Sequence, residues 1–231
     1  MRAFFIATVL ALSIAHATGQ AVPASAKASA PADLTGYWVA FVTEDWRFRM
    51  VTPRKGDYQA VPLTDQARKV ADAWNPEADE AAGNQCKAYG AAGLMRLAAR
   101  FHITWQDENT LRVDSDAGMQ TRLFHFNSQP SAPGERTWQG VSSAQWQGAA
   151  LKIATANLRS GYLRKNGVPY SENAIVTEYF DVAPLPGGGQ VLLVTTVVDD
   201  PQYLRQPFIV SSQFKKEADG SKWDPAPCTA K

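Results

Sequence analysis

The stretch that decides the fold is Phe101-His102-Ile103-Thr104-Trp105-Gln106, followed by Asp107-Glu108-Asn109 and then by Leu111-Arg112-Val113-Asp114. Successive side chains of a β-strand point to opposite faces, so strict alternation of apolar and polar residues marks a strand with one buried face. Phe101, Ile103 and Trp105 lie on one face, and His102, Thr104 and Gln106 on the other. The short polar turn between two such runs makes an antiparallel hairpin.

The same pattern recurs outward along the chain. Alternating runs occupy Met119–Phe126, Trp138–Gln147, Leu151–Leu158, Asn173–Val182, Gln190–Val198 and Phe208–Lys215. An opening strand is expected at Gly36–Val42 and a further one at Trp46–Val51, which brings the total to about ten. Gly187-Gly188-Gly189 falls between two apolar runs and reads as a hairpin loop, not a phosphate cradle. One helix interrupts the series. Thr64 is a suitable N-cap for DQARKVADAW, where Ala67, Val70, Ala71 and Trp74 form a single apolar stripe that Asn75-Pro76 then ends. A mainly β chain of this kind favours an antiparallel up-and-down β-barrel with one covering helix, because closure removes unpaired edges. A two-sheet β-sandwich is the alternative.

The first residues have the three parts of an export signal. Arg2 is basic, Ala3–Ala15 is an uncharged apolar run too short for a comfortable membrane helix, and Ala15-His16-Ala17 or Ala21 offers a cleavage point. We therefore expect a signal peptide over 1–21, a flexible Ala/Ser/Pro linker over 22–32, and one domain over 33–231 in a periplasmic or secreted protein. Removing Arg2 leaves 22 basic residues against 22 acidic ones. That balance argues against nucleic acid as a partner, and no membrane anchor is expected in the mature chain. Cys86 and Cys228 are the only cysteines, an even count that favours a disulfide in an oxidising compartment. Neither a C-x-x-C nor a nucleotide-binding motif occurs, so no metal and no cofactor are expected.

Two resemblances are carried by short motifs. Gly36-Tyr37-Trp38, at the start of the first strand, resembles the G-x-W that opens lipocalin-type barrels, in which the tryptophan plugs one barrel end. The segments Thr137–Gln147, Gly161–Ser171, Val176–Phe180 and Val197–Phe208 are similar to those of a group of exported bacterial proteins. That group shares a W-x-G strand, an N/H-G-x-P loop, a T-E strand and a D-P-x-Y-x-x-P-(F/W) turn. This second resemblance implies export and domain extent, and no particular chemistry.

The candidate chemistry is sparse. Glu178 lies mid-strand among apolar neighbours, so its carboxylate needs either a partner such as Arg122 or Arg159, or a raised pKa suited to proton transfer. His102 and His125 are candidate acid–base groups on strands. Asp199-Asp200-Pro201 reads as a structural turn, with Tyr203 just beyond it. The loop from Arg164 to Tyr170, with Tyr162 beside it, is placed to close over a barrel mouth. Trp46, Trp105, Trp138 and Trp146 are candidate lumen-lining residues. The expected function is binding of a small apolar or aromatic molecule within the barrel, with Arg122, Tyr162, Arg164 and Tyr203 assisting the tryptophans. The alternative is a cofactor-independent lyase, isomerase or hydrolase that uses Glu178, His125 and Tyr170. Both need a lumen with room for a guest. A third reading, an envelope interaction protein with a solid core, needs none.

Overall fold

A computed structural model describes residues 24–126 and 134–231. The leader expected over 1–21 lies outside the described residues. The strands, in chain order, are β1 (Gly36–Ala40), β2 (Arg100–Asp107), β3 (Thr110–Ser115), β4 (Ala117–Gly118), β5 (Gln120–His125), β6 (Val141–Gln147), β7 (Ala150–Ala156), β8 (Gly161–Arg164), β9 (Val168–Tyr170), β10 (Ile175–Pro184), β11 (Gln190–Asp199), β12 (Phe208–Lys216) and β13 (Ala226–Pro227). Nine of them close a barrel in the order β1-β12-β11-β10-β7-β6-β5-β3-β2, with β1 completing the ring against β2.

Closure was expected; the uniform antiparallel pairing was not met. The β5–β6 joint is parallel, and every other joint is antiparallel. The reason is geometric. A ring of nine strands cannot alternate direction all the way round, so at least one neighbouring pair must run parallel. The joint falls where the chain makes a long crossover instead of a tight turn, as parallel pairing requires. It is a thin seam, with only Phe124↔Ser142 and His125↔Ser143 in register.

Two further expectations change. The segment read as a strand at Trp46–Val51 forms a short helix, α1 (Trp46–Arg49). Both edges of β1 are already paired, to β2 and β12, so the chain leaving it finds no sheet edge and closes its hydrogen bonds locally. In place of a single covering helix stand α2 (Asp65–Asp72), α3 (Pro76–Ala81), a 3-10 turn at Lys87–Tyr89 and α4 (Ala91–Leu94). Thr64 caps α2 as expected, accepting from the Ala67 N–H at 3.2 Å. Asn75-Pro76 does stop it, and also starts α3: Asn75 accepts from Ala78 N–H at 3.0 Å, with Pro76 in the first turn. Part of the expected linker is held, too, since Lys27 N–H donates to Glu108 O at 3.0 Å across the β2–β3 turn.

β8 and β9 leave the barrel as a separate hairpin that packs against α2 and α4. Its turn needs Gly167, whose φ is +82° and whose Cβ would meet Trp74 at 2.3 Å. Cys86–Cys228 forms the expected disulfide.

Two tyrosines on this side donate to carboxylates, Tyr58 to Asp72 and Tyr162 to Asp79, each at 2.7 Å. Burial, reinforced by the Asp72 bond, pushes the Tyr58 phenol up to about 12; burial likewise raises Tyr162, beside Asp79, and the enclosed Tyr170. Unfolded phenols ionise near ~10, so these three hold their protons longer in the folded state. Their stabilisation is whole below about pH 10 and is lost as pH rises through the folded values. In an ultraviolet phenolate titration, three of the seven tyrosines should ionise only with unfolding. A smooth titration of all seven below the unfolding pH would contradict this.

Candidate functional site

Among the described residues, side chains fill the barrel lumen. Trp38, Phe101, Ile103, Leu111, Val113, Phe124, Leu151, Ile153, Phe180, Leu192, Val194 and Phe214 form one buried cluster within it. Each of these side chains is 0 % exposed, so no water-sized void adjoins them. Trp38 donates its indole N–H to Leu34 O at 2.9 Å. Trp105 and Trp146 flank Phe126, with ring centroids 5.4 and 6.0 Å away.

Glu178 takes the structural role weighed for it. Arg122 reaches from β5 across the lumen to β10 and donates to both Glu178 oxygens, at 3.0 and 2.5 Å. Arg122 also donates to Thr155 at 3.3 Å, and Thr155 bonds Ser142 at 2.8 Å. The pair is completely enclosed. It forms a polar bar that ties β5 to strands on the far side of the seam.

The remaining candidates are dispersed. His125 sits at the end of β5 with Nδ1 3.3 Å from the Thr110 hydroxyl, on the outward face. Tyr170, the last residue of β9, is buried with its hydroxyl unpartnered among the described residues. Trp138 stacks under Arg159 at 4.6 Å, outside the lumen. Tyr162 is occupied by Asp79, Tyr203 packs against the second apolar cluster, and Trp46 is exposed. Asp200 is a turn organiser, accepting from Ser171 N–H and its hydroxyl at 2.6 and 2.8 Å. His102 stacks on Tyr37 at 4.0 Å on the outer wall.

Arg164 is the exception, and it leads to a site the sequence reading missed. A cavity of about 220 Å³ lies outside the barrel, between α1, the segment after α4, and the end of β8. Arg49, Arg96, Arg164 and Lys165 line it, and no acidic residue does. The three guanidinium-bearing residues are 6 %, 4 % and 4 % exposed, respectively. Arg49 donates from Nε to Arg96 O at 2.9 Å and pairs with Glu44; Arg96 pairs with Asp45 at 3.1 Å. Arg164 has no carboxylate at ion-pair distance among the described residues, and Asp45 and Asp57 act on it only from further away. It donates from Nη1 to Gln59 O at 2.8 Å and lies over the Phe48 ring at 4.1 Å. Its Nε and Nη2, like Nη2 of Arg49, are buried without a partner among the described residues.

The electrostatics follow. Desolvation, then repulsion from Arg96, pulls the Arg164 guanidinium down to about 10. Desolvation likewise lowers Arg49, with Glu44 opposing and Arg96 adding. A buried cation short of both charge and hydrogen-bond partners is costly, and an anion would relieve both deficits at once. No signal along the chain assembles these residues, because Arg49, Arg96 and Arg164 come from separated segments. The alternation of Arg47 and Arg49 with Trp46, Phe48 and Met50 was the nearest hint.

Among the described residues no cluster of three metal-ligating side chains occurs, and no helix is long and apolar enough to cross a membrane. Comparison with protein-family models, with curated proteins and with solved structures finds no match.

Proposed function

We propose that this is an exported protein with a lipocalin-like but solid barrel, which binds a small anion in the arginine-lined cavity on its outer side. The observation that carries this reading is a set of three buried guanidinium groups of which, among the described residues, only Arg49 and Arg96 have an ion-pair partner, with unpartnered N–H groups on Arg164 and Arg49. Arginine presents a planar fork of donors suited to carboxylate, phosphate or sulfate. Export is supported by the apolar leader sequence and by the Cys86–Cys228 bridge. A guest inside the lumen would have to displace the packed side chains found there, so neither an apolar ligand nor a catalytic Glu178 is favoured. The cavity lining offers cations, one phenol, the Thr52 hydroxyl and apolar groups, without histidine or carboxylate, which favours binding over proton-transfer chemistry.

Calorimetric titration with inorganic phosphate and with acetate, at low and constant ionic strength, tests the reading. The protein should saturate at one site. Arg164→Met, which keeps the length and loses the donors, should weaken binding by roughly 10- to 100-fold, since hydrogen bonds to charged groups are worth about 1.5–3 kcal/mol. Equal affinity in the variant would place the anion elsewhere.

A further inference from the structure

The wall of the arginine cavity is continuous with an exposed apolar strip. Met50 and Val51 line the cavity, yet are 58 % and 61 % exposed, so they form its rim. Trp46, 67 % exposed, is one helical turn from Met50, whose N–H donates to Trp46 O at 2.8 Å. Residues four apart share a helix face, so Trp46 extends the strip away from the rim. Phe41 is exposed in the same segment, and four of the eight exposed large hydrophobics among the described residues fall between positions 41 and 51. Single exposed apolar side chains are ordinary, but a cluster beside a polar cavity marks a contact surface. Inside the rim stand buried cations short of counter-charge; outside it stands apolar surface short of cover.

The geometry points to a single-chain amphiphile with an anionic head as the ligand of this site. Its head group sits against Arg49, Arg96 and Arg164, and its chain lies over Met50, Val51 and Trp46. This rests on the anion-binding reading and adds the chemistry of the rest of the ligand. A free, monomeric amphiphile is favoured because the cavity recesses the cations behind the rim, where a single head group can enter.

The test is a titration series of straight-chain carboxylates from acetate to decanoate, each below its micelle-forming concentration and at constant ionic strength. Affinity should rise about two- to fourfold per added methylene, as expected when each is half to fully covered, then level off once the chain outruns the strip. Trp46→Ser should reduce that slope, and Arg164→Met should weaken every member. A flat series that still responds to Arg164→Met would overturn the amphiphile and leave the anion site standing. A series with no binding at any length would overturn both. Co-sedimentation with phosphatidylglycerol vesicles, without binding of any soluble member, would also overturn the proposal, assigning the strip to a bilayer.

Discussion

Glu178→Gln is expected to destabilise the barrel by about 3–5 kcal/mol, because it leaves the enclosed Arg122 guanidinium without a counter-charge. The amide still offers one acceptor, but it cannot neutralise a cation that has no access to water. The effect should be felt at the parallel seam, where β5 and β6 share only two register pairs and the Arg122 bar supplies a further tie through Thr155 and Ser142. Hydrogen exchange in β5 and β6 should therefore quicken in the variant before it does elsewhere. Replacing both partners with apolar side chains, Arg122→Met with Glu178→Leu, should restore most of the stability, since an apolar pair carries no desolvation penalty. Equilibrium denaturant unfolding of Glu178→Gln, of the single variants Arg122→Met and Glu178→Leu, and of the double variant measures this directly. A loss below about 1 kcal/mol for Glu178→Gln would contradict the cost assigned to an unanswered buried cation, and a double variant as weak as the singles would show instead that the ion pair itself, not the avoidance of a lone charge, holds the barrel.

The disulfide should carry the other large effect. Cys86 and Cys228 are 142 residues apart, and the chain-entropy relation gives about 5 kcal/mol as the upper bound for closing so long a loop. The bridge fastens a C-terminal tail whose other holds are polar: β13 pairs with the two-residue β4, Thr229 N–H donates to the Tyr89 hydroxyl at 3.3 Å, Ala230 N–H donates to Glu80 at 3.1 Å, Lys165 donates to Thr229 at 3.2 Å, and the exposed Lys231 pairs with Glu77 at 2.6 Å. Cys86→Ser with Cys228→Ser should lower the unfolding free energy by about 3–5 kcal/mol while leaving the barrel strands paired. Tyr89 and Lys165 both contact this tail and both line the cavity, so the loss of the bridge should also weaken anion binding modestly. Unchanged stability after reduction would show that the tail stays docked through its other contacts.

The legibility of this chain in its sequence divides along physical lines. Alternation located the hairpin β10–β11 and the strand around Phe101 correctly, since a half-buried strand prints its period directly. The Gly187-Gly188-Gly189 hairpin loop and the Thr64 cap were legible because each is a local requirement of backbone geometry. Closure was legible through strand count, but the parallel seam was not, because it depends on an odd number of strands that only the assembled ring determines. The segment around Phe48 was misread because its alternation is real, while the absence of a free sheet edge is a property of the whole barrel. Whether the lumen is empty or full was equally hidden. Alternation tells which side chains face inward, whereas the distance between opposite walls follows from strand number and tilt. The arginine cavity was hidden for a related reason. Arg164 stood out as a loop residue, but its partners Arg49 and Arg96 come from distant segments with unremarkable local patterns.

The most direct test compares thermal unfolding of the wild type and Arg164→Met at rising phosphate concentration and constant ionic strength. Without the anion, Arg164→Met should be as stable as the wild type or more so, because it removes a buried charge that no carboxylate among the described residues contacts directly, Asp45 and Asp57 acting only from a distance. At a phosphate concentration about 100 times the dissociation constant, the wild type should gain about 2.7 kcal/mol by linkage and overtake the variant, which gains little. Two curves that rise in parallel, with the variant below throughout, would mean that Arg164 is a structural residue and that the cavity is not an anion site.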